Sequence, residues 1–153
     1  GIAPFRGMVL DLLGTGYSGR VALVMGSPYS TDLIYHQLFT DLARKHANFV
    51  YLPAISREAN GESGKLYVQD VVRTRADVLV PILRSPRTLV YVCGIAGMEM
   101  GIFKELAKGL RGEELEQYLK ADAATLAGVD GWERSMLHKQ IAVSRRVFLE
   151  VYA

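Results

Sequence analysis

The sequence has a single cysteine, Cys93, in 153 residues. No internal disulfide can form, and no Cys/His cluster has the spacing of a metal site. A lone cysteine fits a reducing compartment. No apolar run approaches membrane-spanning length, and no signal-peptide pattern is present. The net charge is only +2, too small to argue for nucleic acid or an acidic membrane as partner. The glycine fingerprint G-x-G-x-x-G is missing throughout, which argues against a standard Rossmann dehydrogenase. An initiator methionine is missing too. Gly1-Ile2-Ala3-Pro4-Phe5-Arg6 reads as the middle of a longer chain, so a fragment is expected.

What is present suits one soluble globular domain. Half of the residues are hydrophobic and 22% are charged, a balance that excludes a disordered chain. Strand-like and helix-like segments alternate, which predicts a parallel sheet with helices on both faces. Pro4 suits a first helical turn, and residues 5–13 read as a short helix stopped by Gly14-Thr15-Gly16. Residues 21–25 read as a buried strand and 26–30 as a loop, with Ser30 or Thr31 capping a helix that runs to about Lys45. A strand over 48–55 and a polar loop over 56–64 follow. Residues 67–83 read as helical, with Pro81 as the disruption. A strand is expected over 88–92, then a helix opened by 94–101 and reaching Leu110. Residues 113–126 read as polar and partly helical, 132–143 as a helix, and 146–152 as a final strand. The sum is an α/β, doubly wound, five-stranded parallel sheet.

In such a sheet, ligands bind beyond the carboxyl ends of the strands. Three segments fall there: residues 26–30, 56–67 and 93–97. Small residues let a ligand approach the backbone, and free N–H groups at a helix start attract phosphate. Gly26-Ser27-Pro28 alone is also an ordinary turn. The second segment says more. Ser56 and Arg57, followed past a Gly-containing turn by Lys65 and Tyr67, offer a hydroxyl, a guanidinium and an ammonium for a phosphate monoester. Tyr67 adds a flat ring for an adenine. The same residues also fit a solvated charged loop. Cys93 has no neighbouring cation or histidine, so contact and shape are expected of it rather than covalent chemistry. His36, His46 and His138 are scattered and read as surface or packing residues, and Met98 as packing.

Five motifs in order then carry a resemblance. Gly1-Ile2-Ala3-Pro4-Phe5-Arg6 resembles the end of a G-T-G-I-A-P-F-R motif. Ser56-Arg57-Glu58 resembles S-R-E, and Lys65-Leu66-Tyr67-Val68-Gln69 resembles K-x-Y-x-Q. Residues 90–102 resemble V-Y-x-C-G-x-x-G-M-E-x-G-I, and Glu150-Val151-Tyr152 a terminal E-V-Y. Together they resemble the NADP(H)-binding C-terminal domain of plant-type ferredoxin–NADP⁺ reductases, over nearly the whole chain. In this family the aromatic residue is commonly last, whereas Ala153 follows Tyr152 here; Ala96 stands at a position often basic.

The resemblance implies a role for each matching residue. Ser56, Arg57, Lys65 and Tyr67 would hold the 2′-phospho-adenosine end of NADP(H), with Gln69 at the adenine. Gly26, Ser27 and Pro28 would line the pyrophosphate path. Cys93 and Gly94 would lie beside the nicotinamide, Glu150 would orient it, and Tyr152 would stack on the flavin. Gly1, Ile2, Ala3 and Pro4 would border both rings. Cys93, Glu150 and Tyr152 are thus the expected catalytic set. The implied cofactors are NADP(H) and FAD, the latter held mainly by a barrel domain upstream. The implied partners are that FAD-binding domain and a ferredoxin or flavodoxin-like carrier. The expected activity is electron transfer between that carrier and NADP(H), in the cytoplasm or, for a photosynthetic eukaryote, the plastid stroma. This chain alone is expected to be inactive. Two alternatives stay open: the reductase module of a larger fusion with another electron partner, and a stand-alone nucleotide-binding module.

Overall fold

A computed structural model describes residues 1–58 and 64–152. The chain divides into two compact units, Gly1–Val71 and the residues from Val72 onward.

The first unit begins with α1 (Ile2–Gly14). Pro4 sits in its first turn, where its missing N–H costs nothing. Strand β1 (Val21–Ser27) pairs in parallel with β2 (Phe49–Ile55), in the register Val21↔Phe49 to Ser27↔Ile55. Helix α2 (His36–Lys45) connects them. Alternation puts Val21, Leu23 and Met25 on the same face as Phe49 and Tyr51. There they pack with Val9 and Leu13 of α1 and Phe39 of α2. Phe39 is fully buried, and each such side chain contributes about 1.5–3 kcal/mol of burial. On the opposite face, Gly26 is overlain by the start of α3 (Val68–Thr74). A Cβ at Gly26 would stand 2.9 Å from Val68 Cγ2. Helices α1 and α2 thus cover one face of this strand pair, and the start of α3 meets the other at Gly26.

The start of α2 differs from expectation. Neither Ser30 nor Thr31 caps it. A 3₁₀ turn at Ser30–Asp32 intervenes, and Tyr35 takes the cap position at φ 63°. This left-handed conformation is strained for a residue with a Cβ. Two ring contacts offset it: Phe39 meets the Tyr35 ring edge-on at 6.3 Å, and the Arg6 guanidinium lies 4.9 Å from its centroid. The expected single helix over 67–83 is two helices, α3 and α4 (Ala76–Leu83). The break falls at Arg75, at φ −111° and ψ 32°, and Pro81 lies inside α4 near its end. So close to that end, the missing proline donor costs one hydrogen bond without stopping the helix.

In the second unit, β3 (Val90–Ile95) pairs in parallel with β6 (Val147–Tyr152). Helix α5 (Met98–Gly109) buries Glu99, Met100, Ile102, Phe103 and Leu106, the i, i+3, i+4 stripe of an amphipathic helix. Helices α6 (Glu113–Glu116) and α7 (Ala123–Ala127) flank β4 (Leu119–Lys120), which pairs antiparallel with β5 (Ala142–Val143). Tyr118, Leu119 and Ile141 are the buried centre here. The Trp132 indole N–H donates to Thr125 O at 2.8 Å.

Two expectations are corrected. Residues 132–143 are not a helix. Trp132, Met136, Leu137 and Ile141 follow helical spacing, but the chain makes only a 3₁₀ turn at Arg134–Met136. His138 then takes φ 62°, and the Lys139 and Ile141 N–H groups both donate back to Met136 O. A tight reversal instead buries Trp132 and Ile141, leaves Met136 and Leu137 half-buried, and leads into β5. The second correction concerns the sheet. The α/β class and the parallel pairing stand, but among the described residues four strands pair in parallel, β1 with β2 and β3 with β6, while β4 and β5 pair antiparallel. Among the described residues, no helix is long and apolar enough to cross a membrane.

Candidate functional site

The expected contact residues fall into one group in each unit. In the first unit they gather at the carboxyl end of β1 and β2. Gly26 and Ser27 are the last residues of β1 rather than loop. Parallel pairing continues past the strands, since Ser56 N–H donates to Ser27 O at 3.0 Å and Arg57 N–H to Pro28 O at 2.9 Å. Leu66 N–H then donates to Ile55 O at 2.9 Å. The returning chain is thereby pinned to β2, with Lys65 and Tyr67 on either side of the pin. Residues 59–63 of this loop lie outside the described residues.

The side chains divide between structure and solvent. The Ser27 hydroxyl is buried and donates to Tyr29 O at 3.1 Å, so this residue offers its backbone rather than its hydroxyl. Arg57 and Lys65 are exposed, and among the described residues neither is tied up in an ion pair. Tyr67 is 50% exposed, while its backbone N–H donates to Asp70 Oδ2 at 2.8 Å and fixes the entry to α3. Gln69 is in the first turn of α3 and half-buried. Glu58 sits beside Arg57, but its Oε1 accepts from Ser30 N–H and Ser30 Oγ–H at 2.8 and 3.1 Å. Gly1 holds the cap position of α1, Ile2 packs on the core, and Ala3 and Pro4 are exposed.

In the second unit the expected catalytic set comes from two distant parts of the sequence. Parallel register pairs Cys93 with Glu150, Gly94 with Val151 and Ile95 with Tyr152. Ala96 N–H donates to Tyr152 O at 2.7 Å and extends the ladder. Paired residues of parallel strands point to the same face, so Cys93, Glu150 and Tyr152 share one. Glu150 is exposed and Tyr152 is 53% exposed. The expected loop at 93–97 begins later than predicted, because Cys93, Gly94 and Ile95 belong to β3. Gly97, at φ 104°, then makes the turn into α5.

Glu99 holds that turn. Its side chain is fully buried; Oε2 accepts from Gly97 N–H at 2.7 Å and Oε1 from Arg134 Nε at 2.6 Å. Neither this strut nor Glu58 was recognised from sequence. Each acid was visible as a motif letter, but its partner lies 35 or 28 residues away. Only a buried acid inside a helical stripe could have signalled Glu99.

Two phosphate-suited cations at a strand end and a paired Cys/Glu at another suit a dinucleotide-handling oxidoreductase. Comparison with known families agrees, because the family of oxidoreductase NAD-binding domains matches residues 1–104. The chain belongs to that family.

Relatives carry the more specific name anticipated from the motifs. A ferredoxin–NADP reductase of Spirulina is 38% identical over 109 residues, covering 67% of this chain and 37% of the relative. One of Picosynechococcus is 33% identical over 134 residues, covering 80% and 33%. The chloroplastic root-type isozyme of Nicotiana tabacum is 36% identical over 128 residues, covering 78% and 34%. The family resemblance read from the motifs is borne out. The matched segment spans about a third of the length of these relatives.

Proposed function

We propose that this chain is the NADP(H)-binding domain of a flavin-dependent reductase that exchanges electrons between a ferredoxin- or flavodoxin-type carrier and NADP(H). The observation that carries the reading is the pinned loop after β2. It presents Ser56, Arg57, Lys65 and Tyr67 together, with both cations outside any ion pair among the described residues. A guanidinium and an ammonium left for solvent beside a half-exposed phenol ring suit a 2′-phosphorylated adenosine and are superfluous for a plain one.

The remaining roles are those that the family resemblance implies, carried over residue by residue. Gly26, Ser27 and Pro28 offer backbone close to the pyrophosphate, and Gln69 a polar contact to the adenine. Cys93 and Gly94 give a small surface against the nicotinamide, and Glu150 a carboxylate that orients it. Tyr152 supplies an exposed ring for a flavin face. Gly1, Ile2, Ala3 and Pro4 border both rings. Bound flavin supplies the hydride chemistry, and this chain selects and orients the nucleotide. We assign the FAD-binding domain to the length that the relatives have beyond the matched segment, and the ferredoxin or flavodoxin-like carrier to the complete protein. On this reading the chain alone binds NADP(H) and turns nothing over. Its compartment is the cytoplasm or plastid stroma, as suits a lone cysteine and a chloroplastic relative.

Calorimetric titration with NADP⁺ and NAD⁺ tests the reading. NADP⁺ is expected to bind at least about tenfold more tightly, since a phosphate held by charge-assisted hydrogen bonds is worth more than 1.4 kcal/mol. Equal affinities overturn the assignment.

A further inference from the structure

Glu58 has the wrong sign for its position. It follows Arg57 in the loop assigned to the 2′-phosphate, where a free carboxylate would repel the ligand and compete for the guanidinium. It does neither. One oxygen, Oε1, takes both the backbone N–H and the hydroxyl of Ser30, at 2.8 and 3.1 Å. Ser30 opens the 3₁₀ turn after β1, so this bond joins the loop after β1 to the loop after β2. Backbone bonds already link Ser56 with Ser27 and Arg57 with Pro28. The carboxylate adds a third link just past Arg57, before the undescribed part of the loop. Two donors on one oxygen also absorb part of its charge.

We propose that Glu58 is a positioning residue for 2′-phosphate selection. It ties the two loops together so that Ser56 and Arg57 face the ligand in a fixed arrangement, and it holds its own charge toward Ser30. The inference rests on the function proposed above.

The test separates a strut from a charge. The full chain and its Glu58→Ala, Glu58→Gln and Ser30→Ala variants are titrated with 2′,5′-ADP and with 5′-ADP, which lacks the 2′-phosphate. Glu58→Ala is expected to weaken 2′,5′-ADP binding about tenfold, one charge-assisted hydrogen bond's worth of order, and to leave 5′-ADP within about twofold. Glu58→Gln keeps an oxygen acceptor for Ser30, so it should bind 2′,5′-ADP as tightly as wild type. Ser30→Ala keeps the N–H donor and should show a smaller loss in the same direction. Unchanged 5′-ADP affinity shows that each variant is folded. Where Glu58→Ala does not fold, Ser30→Ala carries the test. Tighter or unaltered 2′,5′-ADP binding in Glu58→Ala, or in Ser30→Ala in its place, overturns the proposal, as does an equal loss in Glu58→Gln. A wild-type chain that does not prefer 2′,5′-ADP overturns the proposed function itself. A preference left unchanged by Glu58→Ala overturns this inference alone.

Discussion

Removing Arg134 should cost more than removing the charge it neutralises. Glu99 is fully buried, and its carboxylate has two partners: Arg134 Nε at 2.6 Å and Gly97 N–H at 2.7 Å. The pair is asymmetric, because the Arg134 side chain is 53% exposed. Two unit charges about 4 Å apart attract by about 4 kcal/mol at an effective dielectric of about 20. Truncating one partner of a fully buried pair costs about 3–5 kcal/mol, because the survivor is stranded. Solvent reaches the arginine here, so Arg134→Ala should cost about 2–3 kcal/mol, between the buried range and the ~0–1 kcal/mol of an exposed pair. Adding Glu99→Gln to that variant should restore part of the loss, because the stranded charge is gone. Urea denaturation reads this directly, as shifts of midpoint at constant slope. Two results refute the reasoning: an Arg134→Ala cost below about 0.5 kcal/mol, which is ordinary for a surface pair, or a double variant less stable than Arg134→Ala alone.

Gly97 and Gly94 should respond to alanine to different degrees. At φ 104° Gly97→Ala forces a Cβ into a left-handed conformation and should cost about 1–2 kcal/mol. Gly94→Ala places its Cβ 2.6 Å from Met98 Cε, the end of a flexible side chain that can swing aside, so the cost should stay below about 1 kcal/mol by the same urea measurement. Acid should remove the cap of α7. The Thr125 N–H donated to Asp122 holds that carboxyl below its ordinary 3.8. The stabilisation is therefore present above 3.8 and lost as the pH falls through the lowered native value. Asp122→Asn should flatten that part of the pH–stability curve, and an unchanged acid limb would count against the cap. Alkali should act through Tyr118, whose burial raises the phenol above 10.0. Unfolded chains ionise first, so stability falls as the pH rises past 10.0, and Tyr118→Phe should lessen that dependence, leaving the share of Tyr51, whose phenol is also raised by burial. At neutral pH the same variant should cost about 1 kcal/mol, the bond to Leu83 O.

What was legible in the sequence is what neighbouring residues decide. Apolar runs placed β1, β2, β3 and β6, and the apolar stripe of α5 stood out because its burial pattern repeats each turn. The missed elements depend on partners far along the chain. Trp132 to Val143 reads as a helix, yet the chain reverses at His138 and pairs with β4, with Trp132 and Ile141 buried. No local signal distinguishes those outcomes. Serine at position 30 looked like a helix cap because serine caps helices. Here its hydroxyl is taken by Glu58, and the helix starts at His36 instead. Pro81 looked like a breaker, but near a helix end it has little to break.

The candidate site shows the same division, and it bears on how its motifs should be read. Ser-Arg-Glu and Cys-Gly-Ile-Ala-Gly-Met-Glu each contain small or cationic residues and one acid. In both, the small or cationic residues reach solvent or a strand end, while the acid turns away and accepts a backbone N–H. Glu58 takes the N–H of Ser30, and Glu99 that of Gly97. A loop that binds an anion must keep its own backbone in place without offering the ligand a negative charge. A carboxylate directed into another loop, or into the core against an arginine, meets both demands. The acids in these motifs are therefore struts, and their loss should first disturb the placement of their neighbours. Glu150 is the exception that fits the rule. It is exposed, on the face it shares with Cys93, and accepts no such backbone bond among the described residues. Of the three motif carboxylates it alone is exposed, which is why the proposed function gives it the contact to the nicotinamide.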